Sequence, residues 1–324
     1  MTLQQLRYLV EVAQRGFNVS DAAEALYTSQ PGVSKQIKQL ENDLGIIIFE
    51  RVGKRLTGVT EGGAQVLEHA RRILAEADNL KRYVADYTQG QQGTLVIATT
   101  HTQARYALPE AVTHFRQHYP DVTLTLHQGM PDQFAEWLVR GDVDLAIATE
   151  ALKDAPGIVA LPCRQWHHAI VVPEGHPLLK LAQPSLGDLV AYPLVTYVRG
   201  VAGRLRLDAV FERQGLVPRI VLDALDADVI KTYVGVGMGV GIIAEHAFDE
   251  QRDTAAGLRL ISARHLFPAN TTYVGMRRGT LLRRYQYDFI EQFAPGLTRD
   301  VVQKALQGGR DSSKPGERNE SDWL

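Results

Sequence analysis

Two short stretches of the chain concentrate the side chains best suited to binding chemistry. In the first, Thr99-Thr100-His101-Thr102-Gln103, three threonines and a glutamine supply neutral hydrogen-bond donors. Thr149 falls at the end of a later apolar strand and is expected to face the same crevice. Such donors at a helix start suit a small oxyanion or carboxylate, because free backbone N–H groups there favour negative charge. The alternative is simple helix capping, a common use of threonine. The second stretch is basic: Lys35 and Lys38 are followed by Arg51, Lys54 and Arg55. With Ser29, Gln30, Pro31 and Ser34 just ahead, this is the chemistry of DNA contact. Amides and hydroxyls serve base edges, and lysines serve guanine or phosphate.

Other candidate chemistry is weaker. No Ser/His/Asp or paired-carboxylate arrangement stands out, so the chain is not expected to be an enzyme. Cys163, His167 and His168 lack a recognised ligand spacing, so no metal is expected. Gly239-Val240-Gly241-Ile242-Ile243-Ala244 matches G-x-G-x-x-A, but it lies between an expected helix and strand. A dinucleotide fingerprint instead follows a strand and opens a helix. A tight helix-to-strand turn fits better.

The elements that must position these residues follow from hydrophobic spacing. Leu3, Leu6, Leu9, Val10 and Ala13 recur at helical intervals, and Gly16 ends the run. Ser20 reads as the N-cap of a second helix, and Ser29 or Gln30 opens a third. Val33, Ile37, Leu40 and Leu44 form the inward stripe of that third helix, which leaves Ser34, Lys35, Lys38 and Asn42 outward. Three short helices with tight connections match a helix-turn-helix, and the basic segment around Gly53 reads as a two-stranded wing. A long helix follows over 60–88. Its Val66, Ala70, Ile73, Ala77, Leu80, Val84 and Tyr87 alternate spacings of four and three. That is a heptad seam for a second copy of the chain, or else one amphipathic helix packed on its own domain.

After the polar hinge Gln89-Gly90-Gln91-Gln92-Gly93 the pattern becomes alternating strands and helices. Strands are expected over 94–99, 122–127 and 143–148, with helices between. A second such unit runs over 194–244. The order implies parallel sheets covered by helices, in two Rossmann-like subdomains with a cleft between them. A last helix is expected over 281–293, with Tyr285, Phe289 and Phe293 on one face. The domain expectation is therefore an N-terminal all-α winged helix-turn-helix over 1–59 and a linker helix and hinge over 60–92. An α/β effector region over 93–307 follows, its chain crossing between subdomains near 163 and 267. The tail over 308–324 is polar and expected to be disordered.

Composition sets the outer bounds. The chain has 324 residues, enough for about two or three domains. Its formal charge of -2 seems unsuited to DNA, but local placement of cations decides that, not the total. Cys163 is the single cysteine, which excludes an internal disulfide and fits a reducing cytoplasm. No basic patch leads into an apolar stretch at the N-terminus, and no apolar run reaches membrane-span length, so no signal peptide and no membrane partner are expected.

The head carries a specific resemblance. Leu3-Gln4-Gln5-Leu6-Arg7-Tyr8, Ala22-Ala23-Glu24-Ala25-Leu26, Ser29-Gln30-Pro31-Gly32-Val33-Ser34-Lys35-Gln36-Ile37 and Leu40-Glu41-Asn42-Asp43-Leu44-Gly45 resemble the LysR-type transcriptional regulators. The resemblance implies a winged head, a dimerising linker helix, and an effector region similar to periplasmic binding proteins. It also implies promoter DNA as partner, assembly as a homodimer and homotetramer, and contact with RNA polymerase. Segments 98–109, 146–152, 192–197 and 226–234 are similar to the CysB subgroup, activators of cysteine biosynthesis and sulfate assimilation. That subgroup implies effector residues at Thr100, Thr102, Gln103 and Thr149, with acetylserines as inducers and sulfide or thiosulfate opposing. The subgroup's closing Gly-Phe-Thr-Gly-Arg segment is here Gly200-Val201-Ala202-Gly203-Arg204. Ala202 lacks the hydroxyl, a loss of about 0.5–1.5 kcal/mol if one hydrogen bond goes with it. Backbone N–H groups near Gly203 are expected to contribute in its place. No cofactor is implied. The competing readings are a Cbl-like regulator of sulfonate or sulfate-ester use, a solute-binding receptor, and a nicotinamide-dependent enzyme.

Overall fold

The computed structural model describes residues 1–53, 55–89 and 91–308, without the side chains of 85–87 and 89. Lys54, Gly90, the Tyr87 side chain and the expected tail from 309 onward lie outside the described residues. The chain forms two compact units, Met1–Thr88 and Gln89–Leu324.

The first unit begins with α1 (Leu3–Gln14), α2 (Val19–Ala25) and α3 (Gln30–Leu44). Thr2 and Gln5 form a reciprocal capping box at α1. Asn18, not Ser20, caps α2: its Oδ1 accepts the Ser20 and Asp21 amides at 3.0 and 3.3 Å. Asparagine is as strong a cap as serine, and here it stands two residues earlier. Ser29 caps α3, Pro31 sits in its first turn where no N–H is needed, and Gly45 ends it at φ +68°. Val33, Ile37 and Leu40 are buried with Leu6, Leu9, Val12 and Ala22, each large apolar side chain contributing about 1.5–3 kcal/mol.

Two antiparallel strands, β1 (Phe49–Val52) and β2 (Arg55–Val59), build the wing. Phe49 and Leu56 root it in the helical core. The following α4 (Glu61–Gln89) starts where the Thr60 hydroxyl accepts the Gly63 amide and donates to the Ile47 carbonyl. Leu67 and Ala70 then join the head's core, whereas Ile73, Leu80, Tyr83 and Val84 are exposed. The apolar stripe of α4 thus changes role along its length.

The second unit holds two five-stranded sheets. The first has the order β4-β3-β5-β12-β6, from β3 (Gly93–Thr99), β4 (Val122–Gln128), β5 (Leu145–Ala148), β6 (Ile158–Trp166) and β12 (Asn270–Arg277). The second has the order β11-β7-β10-β8-β9, from β7 (His168–Pro173), β8 (Leu194–Tyr197), β9 (Ile220–Ala224), β10 (Val240–Ala244) and β11 (Leu258–Ser262). The helices are α5 (Pro109–His118), α6 (Pro131–Arg140), α7 (Leu186–Val190), α8 (Arg204–Arg213), α9 (Ala227–Gly235), α10 (Glu250–Ala255), α11 (Arg284–Phe293) and α12 (Arg299–Gln307). α12 follows the helix expected to be last, with Val302 and Leu306 buried.

The expectation of parallel sheets needs correction: both are mixed. β3 pairs in parallel with β4 and β5, but β12 runs antiparallel to β5 and β6. In the second sheet β7 runs antiparallel to β10 and β11. The reversed strands are those that carry the chain between subdomains. β6 and β7 are separated only by His167, and β11 returns to β12 through residues 263–269. Helices cover both faces of each sheet: α5 and α11 pack on one side of the first, and Phe134 and Leu138 of α6 on the other.

Gly63 is required by close approach, since a Cβ there would lie 2.1 Å from the Ile48 carbonyl oxygen. Gly63→Ala is expected to destabilise the head by about 1–3 kcal/mol through overpacking, despite alanine's better helix propensity. Faster hydrogen exchange at α1–α3 amides in the full chain checks this; unchanged exchange would show that α4 can move aside freely.

Candidate nucleic-acid face and ligand cleft

On α3, burial of Val33, Ile37 and Leu40 turns Gln30, Pro31, Lys35, Lys38 and Asn42 to solvent, with Ser34 half-buried. Gln30 Nε2 donates to Ser34 Oγ at 3.1 Å, so these two groups are held side by side at the exposed helix start. Among the described residues Lys35, Lys38 and Arg55 form no ion pair. Arg51 differs: its Nη2 lies 3.0 Å from Glu41 Oε2, a side chain only 10% exposed. The other Glu41 oxygen accepts the Ile48 and Phe49 amides at 2.9 and 3.2 Å. Arg51 therefore braces the wing against α3 and is the least available of the described cations. The arrangement presents polar groups and two free lysines on one convex face, as a groove-reading helix requires.

The candidate ligand cleft lies in the second unit. In the first sheet, β4 and β5 flank β3, so the loops after β3 and β5 diverge around a topological switch point. Thr100 follows β3 and Thr149 follows β5. A π-helical turn, Gln103–Ala107, continues from the first loop, a geometry often found at functional sites. No threonine side chain caps it, so helix capping is not what Thr102 does. Instead, burial pushes up the pKa of Tyr197, at the end of β8 in the other subdomain, and the Thr102 side chain opposes that push. Gln103 is 3% exposed, and its Nε2 donates to Thr272 Oγ1 at 3.2 Å. The hydroxyls of Thr100 and Thr149 take no hydrogen-bond partner among the described residues.

The opposite wall is the segment 200–203. Gly200, Ala202 and Gly203 all have positive φ, and for Ala202 (φ +50°) this is a strained conformation. His168 Nε2 donates to the Ala202 carbonyl at 2.8 Å, and Asn270 Nδ2 lies 3.3 Å from His168 Nδ1. Burial pushes the His168 pKa down to about 4, so the ring is neutral at pH 7 and can donate from one nitrogen while accepting at the other. Gly203 packs so closely that a Cβ would stand 2.4 Å from Asn270 Oδ1. Its amide donates to the Glu150 carboxylate, which reaches over from the first subdomain.

Among the described residues, several buried polar atoms in this region have no hydrogen-bond partner: Gln103 Oε1, Glu150 Oε2, Trp166 Nε1 and Asn270 Oδ1. Orphaned polar atoms in a protein interior are costly, and a bound water, ion or ligand that completes them offsets that cost.

Beside the cleft, Tyr106 ties the subdomains together. Its hydroxyl donates to Asp228 Oδ1 at 2.7 Å and accepts from Lys231 Nζ at 3.1 Å. Arg105 Nε lies 2.7 Å from Asp228 Oδ2. Lys231, 4% exposed, also donates to Asp253 at 2.6 Å and to the Ala247 carbonyl at 2.8 Å. Burial alone would raise the Asp253 pKa, but bonds from Lys231, the Asp249 amide and Arg252 outweigh it and hold the carboxyl below its usual value. His101, Asp226 and Asp228 bring three ligand atoms within 4.8 Å of one another. Asp228 is already neutralised by Arg105 and Lys231, so this group reads as part of the ion-pair network.

Sequence reasoning singled out Thr100, Thr102, Gln103, Thr149, Ala202 and Gly203; the first four follow β3 and β5, the last two stand at the start of α8, and the Glu150–Gly203 contact joins the two sides. That reasoning missed Glu150, Trp166, His168 and Asn270. Glu150 was signalled only by its position after Thr149. The others sit on strands β6, β7 and β12, which carried no helix–strand alternation. Cys163 lies apart from any histidine ligand set. Its Sγ donates to the Thr272 carbonyl at 3.1 Å, and burial pushes the thiol up to about 12. The Gly239–Ala244 stretch runs from the end of α9 into β10, and a Cβ at Gly239 would meet the Pro193 carbonyl at 2.3 Å. Gly241 lies within β10, where a Cβ would stand 2.7 Å from Val234 Cγ2, so these two glycines serve close packing and the turn itself is made by Gly237 at φ +80°.

Two family models match the chain: the bacterial regulatory helix-turn-helix protein, lysR family, over residues 3–64, and the LysR substrate binding domain over 88–297. The chain is 50% identical over 312 residues to the HTH-type transcriptional regulator CysB of Burkholderia cenocepacia, covering 96% of this chain and 99% of that one. It is also 50% identical to the HTH-type transcriptional regulator SsuR of the same organism, covering 95% and 99%. The crystal structure of the cofactor-binding domain of the Cbl transcriptional regulator matches with a TM-score of 0.64 at 44% identity, covering 66% of this chain and 93% of that one.

Tyr106→Phe removes one hydroxyl that serves Asp228 and Lys231 together. It is expected to cost about 1–3 kcal/mol, because both partners are left short of a bond. The loss should show as a lower melting temperature with unchanged secondary structure; an unchanged melt would mean that water replaces the hydroxyl at no cost.

Acid should act through His168. A histidine whose pKa is lowered on folding contributes stability that is complete above its unfolded value near 6.5 and is lost as pH falls toward 4. Stability of the second unit is expected to fall by on the order of 3 kcal/mol across that window. A His168→Gln variant should show a shallower acid slope by pH-resolved denaturation.

Proposed function

The chain belongs to the LysR family of bacterial transcriptional regulators, and from that premise we propose that it controls sulfur-assimilation genes through an anionic effector held between its two subdomains. Membership makes it a DNA-binding regulator with a small-molecule effector region, not an enzyme. The similarity to CysB and SsuR regulators supports the sulfur role, with activation of cysteine-biosynthesis genes as the specific reading. The observation that carries the effector reading is the contact at Gly203. The one group this structure places on the amide at the start of α8 is a carboxylate, facing a wall of neutral threonine and glutamine donors. Neutral donors that accept a carboxylate also suit sulfate, thiosulfate or the carboxylate of an acetylserine.

The DNA contacts are assigned to Ser29, Gln30, Pro31, Ser34, Lys35 and Lys38 on α3, with Arg55, Lys54 and Arg51 of the wing on the phosphates. The effector contacts are assigned to Thr100, Thr102, Gln103, Thr149 and the backbone at Ala202 and Gly203. The exposed Ile73, Leu80 and Val84 of α4 support pairing of two copies through this helix, with a tetramer as the working assembly. No helix among the described residues is long and apolar enough to cross a membrane, and action on promoter DNA places the protein in the cytoplasm. Effector binding shifts the spacing of the DNA-reading heads by favouring one state of the assembly. A second reading, a Cbl-like regulator of sulfonate or sulfate-ester use, is supported by the 44% identity to the cofactor-binding domain of the Cbl regulator.

Footprinting on a sulfate-assimilation promoter tests the proposal. Acetylserine, sulfate, thiosulfate and adenosine phosphosulfate are compared, and at least one should change the protected region; no change with any of them would remove the sulfur assignment. Lys35→Ala is expected to weaken promoter binding and reduce the salt slope by about one counterion. Fluorescence anisotropy at several salt concentrations reads both quantities, and wild-type behaviour throughout would take Lys35 off the DNA.

A further inference from the structure

Glu150 occupies an unusual position for an acidic residue. It follows Thr149 at the end of β5 in one subdomain, and its carboxylate accepts the amide of Gly203 at the start of α8 in the other. That amide belongs to the anion-holding wall assigned above. The second oxygen, Oε2, is buried without a hydrogen-bond partner. Gly203 cannot shift toward the first subdomain's β12, because Asn270 Oδ1 already stands where its Cβ would be. The carboxylate thus fills a fixed seat, and a negatively charged ligand cannot share it with a second negative charge.

We propose that Glu150 is a built-in competitor for the effector site, so that the cleft binds an oxyanion only together with one proton, carried on the Glu150 carboxyl. The inference rests on the effector reading of the cleft and deepens it. In the empty cleft the ionised carboxylate holds the Gly203 amide and latches the two subdomains together. When an oxyanion arrives, the proton passes from solvent to the carboxylate, the like-charge repulsion disappears, and the Gly203 amide becomes available to the ligand. The protonated group gains an O–H that can donate to the bound anion. The same reasoning makes Glu150 a specificity residue: a ligand that brings its own O–H or N–H donor can meet the carboxylate without the added proton.

The surrounding charges agree. Burial raises the Glu150 pKa to about 7, opposed by the Gly203 amide and by Arg206 of α8. Arg206 is engaged with the Ala269 carbonyl at 3.1 Å, and Arg204 is turned to Asp208 and the Tyr197 carbonyl. His168 on β7 and His246 after β10 are both pushed down to about 4 by burial, so neither changes charge between pH 6 and 8. His101, after β3, faces Asp226 and Asp228 of the α9 start.

Calorimetric titration of the full chain with sodium sulfate at several pH values between 6 and 8.5 tests the proposal, since sulfate itself does not titrate there. The expected result is an affinity that falls by up to tenfold per pH unit above 7, with proton uptake that rises with pH and approaches one per anion above pH 8, read in buffers of different ionisation enthalpy. Glu150→Gln should bind sulfate at pH 8 roughly tenfold tighter than wild type, with a flat pH profile, and His101→Asn should keep the wild-type profile. Sulfate binding that is equally strong and pH-independent in wild type and Glu150→Gln would overturn the role of Glu150 and leave the effector cleft standing. Loss of sulfate binding in Glu150→Gln alone would also overturn it, because the carboxylate would then be a supporting group. If neither protein binds sulfate or thiosulfate at any pH, the anionic-effector reading itself falls. The proton count needs only the wild-type protein, so a poorly folding variant does not block the test.

Discussion

The second unit is governed by one covalent constraint: the chain passes between its two sheets twice, and each passage is short. β6 ends in one sheet and β7 begins in the other with only His167 between them. The return from β11 to β12 uses residues 263–269. Two tethers close together allow the subdomains to rotate about their common line but not to slide or separate. Every element of the cleft inherits its position from this. Trp166 and His168 stand either side of the first passage, and Asn270 stands at the end of the second. Of these, His168 bonds the Ala202 carbonyl of the left-handed segment 200–203, while Asn270 bonds the other ring nitrogen of His168 and Trp166 packs against its ring.

Against that constraint two kinds of contact cross the cleft. The Tyr106, Asp228 and Lys231 cluster is an ion-pair network in which each charge has an opposite neighbour, even though Asp228 Oδ2 takes no hydrogen bond among the described residues. The Glu150 contact with Gly203 is different, because it leaves Oε2 and nearby oxygens of Gln103 and Asn270 without donors. A charge-paired network resists change, whereas an unsatisfied one gains from any ligand that completes it. The cleft therefore has a fixed margin and a responsive centre.

How much of this was legible in the sequence depended on the kind of signal. The head was readable because its helices are amphipathic and short, and because Ser29, Pro31 and Gly45 mark the ends of α3. The parallel β3–β5 and β8–β10 units were readable from alternation of strands with helices. The reversed strands were not, since β6, β7 and β12 carry no intervening helices and pair with partners far along the chain. Their antiparallel direction is a tertiary fact that local pattern cannot supply. The candidate effector residues on β3 and β5 loops were found from type and place. Glu150 was passed over because a lone acid suggests no anion site. Asn18 was passed over as a cap because Ser20 is an equally good capping residue two positions later.

The state of the lone cysteine bears on how long a signal can last. With its thiol held protonated and bonded to the Thr272 carbonyl, Cys163 offers almost no thiolate to oxidants or to reactive sulfur species. A message written by occupancy of the cleft is then not converted into thiol chemistry at Cys163. Such a message carries no chemical memory. It is erased as fast as the small molecule departs, and no reductase or repair enzyme is needed to reset the protein for the next one.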